Sequence, residues 1–182
     1  MSETKNKYDF VISGAGLVGC LSAILLSRMG YSCCLIEKNK ITTESETNTY
    51  SPLSLNYRSI LILKKFEIWN NLKKISYPIK SLTLKSFNSF NRLSLTANDL
   101  NLDSLGYVFD RHKLLKIFRN MLTQEEKISV LDSSEVEVIN YNKISNNLSL
   151  IIKNKNLSNE ITFNTKYLIA SDGDKSNIKK SL

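Results

Sequence analysis

Three glycines near the N-terminus constrain the fold of this chain more than any other feature. They are Gly14, Gly16 and Gly19, in the spacing Gly-x-Gly-x-x-Gly. Residues 8–13 before them form an apolar run that predicts a buried strand, and residues 17–29 after them have the apolar spacing of a helix. This context predicts a β-α-β unit. The first glycine permits a tight turn, the second admits a pyrophosphate, and the third lets the helix approach the strand.

An acidic residue completes the dinucleotide-binding pattern. Residues 32–36 predict a second buried strand, and Glu37 follows it at about the 20-residue distance that the pattern requires. Its carboxylate is suited to accept both ribose hydroxyls of an adenosine, while the helix N-terminus favours phosphate. Because Glu37 would repel a 2′-phosphate, the pattern disfavours NADP at this site. We expect the site to include the neighbouring residues Leu17, Val18 and Lys38.

Charge and cysteine content limit the classes of partner and compartment. The 182 residues contain 25 Lys and Arg against 17 Asp and Glu, a net charge of +8, but only five of the basic residues are Arg. Since Arg is the usual reader of bases and phosphates, this composition argues against nucleic acid as a partner. Three cysteines without a CxxC motif, and an N-terminus without an apolar segment, predict a reduced, cytoplasmic setting.

The remaining chain predicts a mixture of strands and helices. Residues 38–56 are polar and predict a loop, whereas residues 57–73 and 111–124 have helical apolar spacing. Further strands are predicted at 79–87, 91–96, 106–109, 128–131, 134–140, 147–152, 160–164 and 167–170. The first two of these alternate apolar and polar residues, which is typical of antiparallel strands with one solvated face.

The glycine segment resembles a known family. The run GAGLVGCLSAILLSRMGYSCCLIEK, with Ala23, Leu26 and Gly30 at further fixed positions, is similar to the N-terminus of the para-hydroxybenzoate hydroxylase-like flavoprotein monooxygenases. That group binds FAD at this site. The resemblance therefore implies FAD, with NAD(P)H as electron donor.

A second segment extends the resemblance. Residues 170–180, ASDGDKSNIKK, resemble the group's second motif, which lies near the pyrophosphate. Asp172 and Gly173 occupy matching positions, followed by Ser176, Lys179 and Lys180. The resemblance adds Asp172 and Gly173 to the expected cofactor-binding residues.

The middle of the chain resembles one branch of that group, the ubiquinone-biosynthesis hydroxylases of the 2-polyprenyl-6-methoxyphenol hydroxylase-like type. Leu105, Gly106, Val108 and Asp110 match a strand pattern of that branch, and Glu67 stands where a family helix ends in glycine. The implied fold is α/β, a Rossmann-like FAD-binding fold with the first hairpin of an antiparallel substrate-binding sheet, C-terminally incomplete. The implied domains are a discontinuous FAD-binding domain, 1–75 and 106–182, and a partial substrate-domain hairpin, 76–105.

The resemblance implies an FAD-dependent monooxygenase that hydroxylates a polyprenylated phenol, using NAD(P)H and O2. Ser51-Pro52-Leu53 replace the Asp-x-Arg of the family, and the sequence stops before the position of the family's third motif, a Gly-Asp followed by a helix. We therefore expect a truncated or split hydroxylase, inactive by itself, with no catalytic side chain and no metal site. His112 is expected to be a surface or helix-capping residue. Two alternatives are a non-catalytic FAD- or nucleotide-binding remnant and an NAD-dependent oxidoreductase of another family.

The predicted hairpin suggests the partners. Its alternating leucines would show an apolar face to water: Leu82, Leu84, Leu93 and Leu95. Exposed apolar patches usually mark an interaction site. We expect either a second polypeptide that supplies the C-terminal half or self-association. A weaker peripheral contact is expected at the inner membrane surface, where a polyprenyl substrate resides.

Overall fold

The computed structural model describes residues 7–41, 49–85, 92–143, 146–156, 160–173 and 178. The chain forms two compact units, one comprising Met1–Glu44 with Phe118–Leu182 and the other Ser45–Ile117. These contact-based units do not test the predicted domain division around the 76–105 hairpin, which stays a prediction.

The described residues form eleven strands and four α-helices. The strands are β1 (Lys7–Ser13), β2 (Cys33–Ile36), β3 (Pro52–Asn56), β4 (Tyr77–Ile79), β5 (Ser81–Lys85), β6 (Arg92–Thr96), β7 (Gly106–Asp110), β8 (Ile128–Leu131), β9 (Ser134–Asn142), β10 (Asn147–Asn154) and β11 (Ile161–Ala170). The helices are α1 (Leu17–Arg28), α2 (Tyr57–Lys65), α3 (Trp69–Leu72) and α4 (Arg111–Leu122), with 3₁₀ turns at Lys73–Ile75 and Asn98–Leu100. None of the helices in these described ranges is long and apolar enough to cross a membrane.

The first unit is built on a six-stranded sheet in the order β8-β2-β1-β11-β10-β9. Strands β8, β2, β1 and β11 pair in parallel, whereas β10 pairs antiparallel with both β11 and β9. All four residues of β2 are buried, as expected for a parallel strand covered on both faces. The predicted β-α-β unit and the mixed α/β fold are confirmed, and their parallel strands place the carboxyl ends of β1, β2 and β11 at one edge.

The second unit contains two small antiparallel sheets. One has the order β3-β7-β4, and the other is the β5–β6 hairpin. In the hairpin, Leu82 pairs with Leu95 and Leu84 with Leu93. These four side chains are between 37% and 67% exposed. The hairpin therefore has the exposed leucine face that the alternation predicted.

Two local predictions in this unit were wrong. Residues 52–56, predicted as part of a loop, form β3 because they pair along their whole length with β7. The single helix predicted over 57–73 is interrupted after Lys65. Glu67 has φ +57°, and the N–H of Ile68 donates to the carbonyl of Leu63 over 2.8 Å. This is the left-handed helix ending that glycine usually provides, formed here by glutamate at the position where the resembling family has glycine.

One prediction in the first unit was also wrong. The two strands predicted at 160–164 and 167–170 are a single ten-residue strand, β11. It pairs with β10 through its first half and with β1 along most of its length, so neighbouring strands hold the intervening residues in extended conformation.

Candidate dinucleotide site

The glycine turn lies between β1 and α1 at the carboxyl edge of the sheet. Gly14 has φ +98°, a conformation that L side chains rarely adopt. A Cβ at Gly14 would lie 2.6 Å from the carbonyl oxygen of Ser171. A Cβ at Gly19 would collide with the carbonyl oxygen of Gly14 and lie 2.6 Å from Ser171 Oγ. Both glycines are therefore needed for β1, α1 and the segment after β11 to approach one another.

Gly16 differs from the other two glycines because it faces open space. It is the N-cap of α1, with φ −76° and ψ −173°, and a Cβ there would meet no heavy atom within 4 Å. The first N–H groups of α1 follow directly at Leu17 and Val18, and Val18 is exposed. Unfilled space beside the free N–H groups of a helix N-terminus is what a phosphate group requires.

Glu37 lies directly after β2, and its carboxylate accepts hydrogen bonds from two backbone N–H groups, one in the glycine turn and one two residues further along the chain. Its Oε2 accepts from the Ala15 N–H over 2.8 Å, and its Oε1 accepts from the Asn39 N–H over 3.0 Å. A carboxylate has about four acceptor positions, so both oxygens keep capacity for ribose hydroxyls. Glu37 therefore orients the glycine turn, a role that the sequence analysis did not assign to it.

A cavity of about 320 Å³ lies beside the turn. It brings together four of the predicted residues: Gly14, Glu37, Lys38 and Asp172. The remaining lining residues are Ser13, Asn39, Ser134, Glu135, Val136 and Ile178. Gly16, Leu17, Val18, Gly19 and Gly173 do not line this cavity. The cofactor-binding role of all nine residues stays a prediction.

The start of β9 supplies residues that sequence reasoning missed. Lys38 Nζ lies 2.8 Å from Glu135 Oε2, and this ion pair raises the pKa of the Lys38 ammonium. The two residues are 97 positions apart in sequence, and neither is part of a motif that pairs them. Only the turn from β8 into β9 brings them together.

Ser171 joins the two predicted motifs. Its N–H donates to the Ser13 carbonyl over 2.8 Å, and its hydroxyl lies 2.7 Å from the Ser13 carbonyl and 3.0 Å from that of Gly14. The next residues, Asp172 and Gly173, are thereby placed beside the turn, with Gly173 at φ +81°. Ser176, Lys179 and Lys180 lie outside the described residues.

Arg119 is a further residue that the sequence did not single out. It lies half-buried on α4, and its Nη2 is 3.5 Å from the carbonyl oxygen of Ala15 in the glycine turn. Cys20 lies nearby, and burial raises its thiol pKa to about 11 even though the Arg119 charge opposes that change. The thiol is therefore protonated at neutral pH, as expected of a packing cysteine.

Asp110, Cys33 and Cys34 have structural roles, as a helix cap and as buried packing residues. Asp110 caps α4, accepting from the N–H groups of His112 and Lys113 over 2.9 Å and 3.0 Å, and these bonds hold its pKa below the usual value. Burial raises the thiol pKa of Cys33 to about 11 and that of Cys34 to about 12. Within the described part of the chain, no three His, Cys, Asp or Glu side chains are placed to hold a metal ion.

Comparison with known proteins relates this geometry to a family. The FAD binding domain family matches residues 7–182. The chain is 23% identical over 180 residues to ubiquinone hydroxylase UbiM of Neisseria meningitidis, covering 96% of this chain and 38% of that protein. It is also 23% identical over 197 residues to the human mitochondrial ubiquinone biosynthesis monooxygenase COQ6, covering 100% of this chain and 40% of that protein.

The fold is shared with solved flavin enzymes. The flavin-dependent monooxygenase PieE, solved in complex with FAD and substrate, superposes with a TM-score of 0.78 at 16% identity, covering 98% of this chain and 32% of PieE. This likeness shows the fold. The chain spans about two fifths of the length of the two curated relatives.

Proposed function

This chain belongs to the FAD binding domain family, and from that premise we propose that its glycine turn and the adjoining cavity bind the adenosine diphosphate portion of FAD in a monooxygenase. The family match bears out the resemblance identified in the sequence. Bound FAD would supply the oxidation–reduction chemistry. The chain's own residues would bind and orient the nucleotide.

The observation that supports this proposal most directly is the open space at Gly16. It lies at the N-terminus of α1, where free N–H groups and the helix dipole favour the pyrophosphate. Glu37 is already oriented by two backbone N–H groups and would accept the ribose hydroxyls. The cavity between β2 and β9 would then take the adenine.

For the complete activity we propose hydroxylation of a polyprenylated phenol in ubiquinone biosynthesis, with NAD(P)H and O2. The support is the likeness to UbiM and COQ6, whose names describe ubiquinone hydroxylation and biosynthesis. The described residues supply the nucleotide half of such a site, and we assign no catalytic side chain among them. We also propose a cytoplasmic location, with a weak peripheral contact at the inner membrane surface, where a polyprenyl substrate would reside and a net charge of +8 favours anionic lipid.

We also propose that the leucine face of the β5–β6 hairpin binds a second polypeptide that supplies further parts of the substrate site. Four leucines are exposed on one face of a two-stranded sheet, and such a sheet is marginally stable by itself. A partner that packs on this face would bury the leucines. Self-association is the competing outcome.

A titration of the purified chain with FAD tests the proposal. We expect saturable binding, followed by flavin fluorescence, that ADP competes away. Gly16→Val should abolish binding by filling the pyrophosphate space, without loss of fold, since a Cβ there contacts nothing. Thermal melting of the variant is the control. Equal FAD affinity in wild type and Gly16→Val would contradict the proposed site, and tight NAD⁺ binding without FAD binding would favour the NAD-dependent alternative.

A further inference from the structure

The junction between β2 and β9 is held by hydrogen bonds on both strands. The Glu37 N–H donates to the Leu131 carbonyl, and the Ser134 N–H donates to the Glu37 carbonyl, each over 2.8 Å. Asn154 Nδ2 donates to Ser134 Oγ over 2.8 Å. Glu135 is therefore presented beside Lys38 by a fixed backbone.

The cavity beside the glycine turn is anionic, and its lysine is paired with one of its carboxylates. Three carboxylates line it, those of Glu37, Glu135 and Asp172, and Lys38 is the one cation among the described lining residues. The formal charge of the cavity is therefore −2. Because Lys38 Nζ is 2.8 Å from Glu135 Oε2, the ammonium is engaged with protein rather than directed at a ligand.

We propose that Glu135 is a specificity-determining residue, which excludes 2′-phosphorylated adenine nucleotides from this cavity by holding Lys38. The inference rests on the proposed function, since it assumes that the cavity takes an adenosine. A ribose hydroxyl donates to a carboxylate, whereas a 2′-phosphate needs a cation such as a lysine ammonium. The carboxylate of Glu37 would repel a 2′-phosphate, and Glu135 is paired with the lysine that could otherwise bind it.

This discrimination matters for an enzyme that uses NAD(P)H. NADPH has the same adenosine diphosphate core as FAD but adds a 2′-phosphate, so it would compete for an FAD site that tolerated that group. An anionic cavity with its lysine paired retains FAD and rejects the phosphorylated donor.

Glu135→Gln tests the role of the charge. The substitution changes the formal charge of the cavity from −2 to −1 and frees Lys38 while keeping the side-chain shape. The affinity for adenosine 2′,5′-bisphosphate relative to ADP should rise about fivefold, the effect of roughly one exposed charge pair. The double variant Glu135→Gln/Lys38→Met should lose this gain, because the released cation is then absent.

Glu137→Gln is the matched control. Glu137 lies two residues further along β9, is paired with Lys153 at 3.3 Å and does not line the cavity. Calorimetry of the full chain with both probes should give the wild-type affinity ratio for this variant. An equal change in Glu137→Gln would mean that net charge alone acts, and it would overturn the assignment.

The outcomes separate the two proposals. If the wild-type chain binds ADP but Glu135→Gln leaves the ratio of the two nucleotide affinities unchanged, the role of Glu135 is overturned and the proposed function still stands. Wild type that binds neither FAD nor ADP overturns both. A raised ratio that persists in the double variant also refutes the inference, because Lys38 would not be the group released.

Discussion

A matched pair of alanine substitutions in the glycine turn should separate folding from binding. Gly19→Ala places a methyl group against the Gly14 carbonyl and 2.6 Å from Ser171 Oγ, where ordinary contacts begin at 3.4 Å. Gly16→Ala places the same methyl group in open space. The two variants therefore add one carbon atom to the same motif with opposite structural consequences.

The expected magnitudes follow from packing and propensity. Forcing a methyl group into packed surroundings costs about 1–3 kcal/mol, and alanine recovers about 1 kcal/mol of helix propensity over glycine. Because the methyl group meets a backbone carbonyl, the upper end of the packing cost applies, and Gly19→Ala should lower the free energy of unfolding by about 2 kcal/mol, or roughly 4–8 °C in Tm for a chain of this size. Gly16→Ala, with an allowed φ of −76°, should stay within about 0.5 kcal/mol of wild type.

Urea unfolding followed by circular dichroism gives the stabilities, and FAD titration gives the affinities. We expect Gly16→Ala to bind FAD at least tenfold more weakly at unchanged stability. A Gly19→Ala protein as stable as wild type would refute the close approach of α1 to the turn. Loss of stability in Gly16→Ala equal to that in Gly19→Ala would refute the open space assigned to Gly16.

Three further predictions concern other parts of the chain. Asp110 caps α4, and its carboxyl pKa is lower in the folded protein than the value of about 3.8 in the unfolded chain. The ionised carboxylate should therefore stabilise the fold above pH 3.8, and this stabilisation should disappear as the pH falls through the pKa of the folded protein. The Tm difference between wild type and Asp110→Asn should shrink accordingly in acid. Without a partner to cover the leucine face, the purified wild-type chain should self-associate in static light scattering over a concentration series, and Leu84→Ser/Leu93→Ser should reduce that association; a monodisperse wild-type monomer would contradict self-association through the leucine face. The purified 182-residue polypeptide should bind FAD without coupling NADH or NADPH oxidation to phenol hydroxylation, as judged by product analysis, and hydroxylated product would show that this length suffices.

The parts of the fold that were predictable depend on local sequence patterns. The β-α-β unit could be located because strand, turn, helix and acid lie within 30 residues, and each position has its own steric requirement. The break at Glu67 was missed because a glutamate in left-handed conformation has no sequence signal, whereas glycine would have marked it. β3 was missed because its extended conformation depends on pairing with β7, some 50 residues away.

The residues of the candidate site were predictable only where they belong to a local motif. Gly14, Glu37, Lys38 and Asp172 belong to recognisable motifs, and the structure places them around one cavity. Glu135 and Arg119 reach the site only through the packing of later elements, and Ser171 contacts the turn across 157 residues. A single sequence contains no local pattern that pairs residues over such distances.

The pairing of β1 with β11 has a consequence for how the protein is made. Val11 lies beside Leu168, so β1 acquires its second neighbour only after a further 157 residues have been synthesised. Until then, β1 and β2 have an unpaired edge, and the hydroxyl of Ser171 that locks the turn has not been synthesised. Long-range parallel pairing of this kind folds slowly because a large loop must close first. The strand that leads into the glycine turn would thus gain its second neighbour, and the turn its Ser171 contacts, only after β11 has been made.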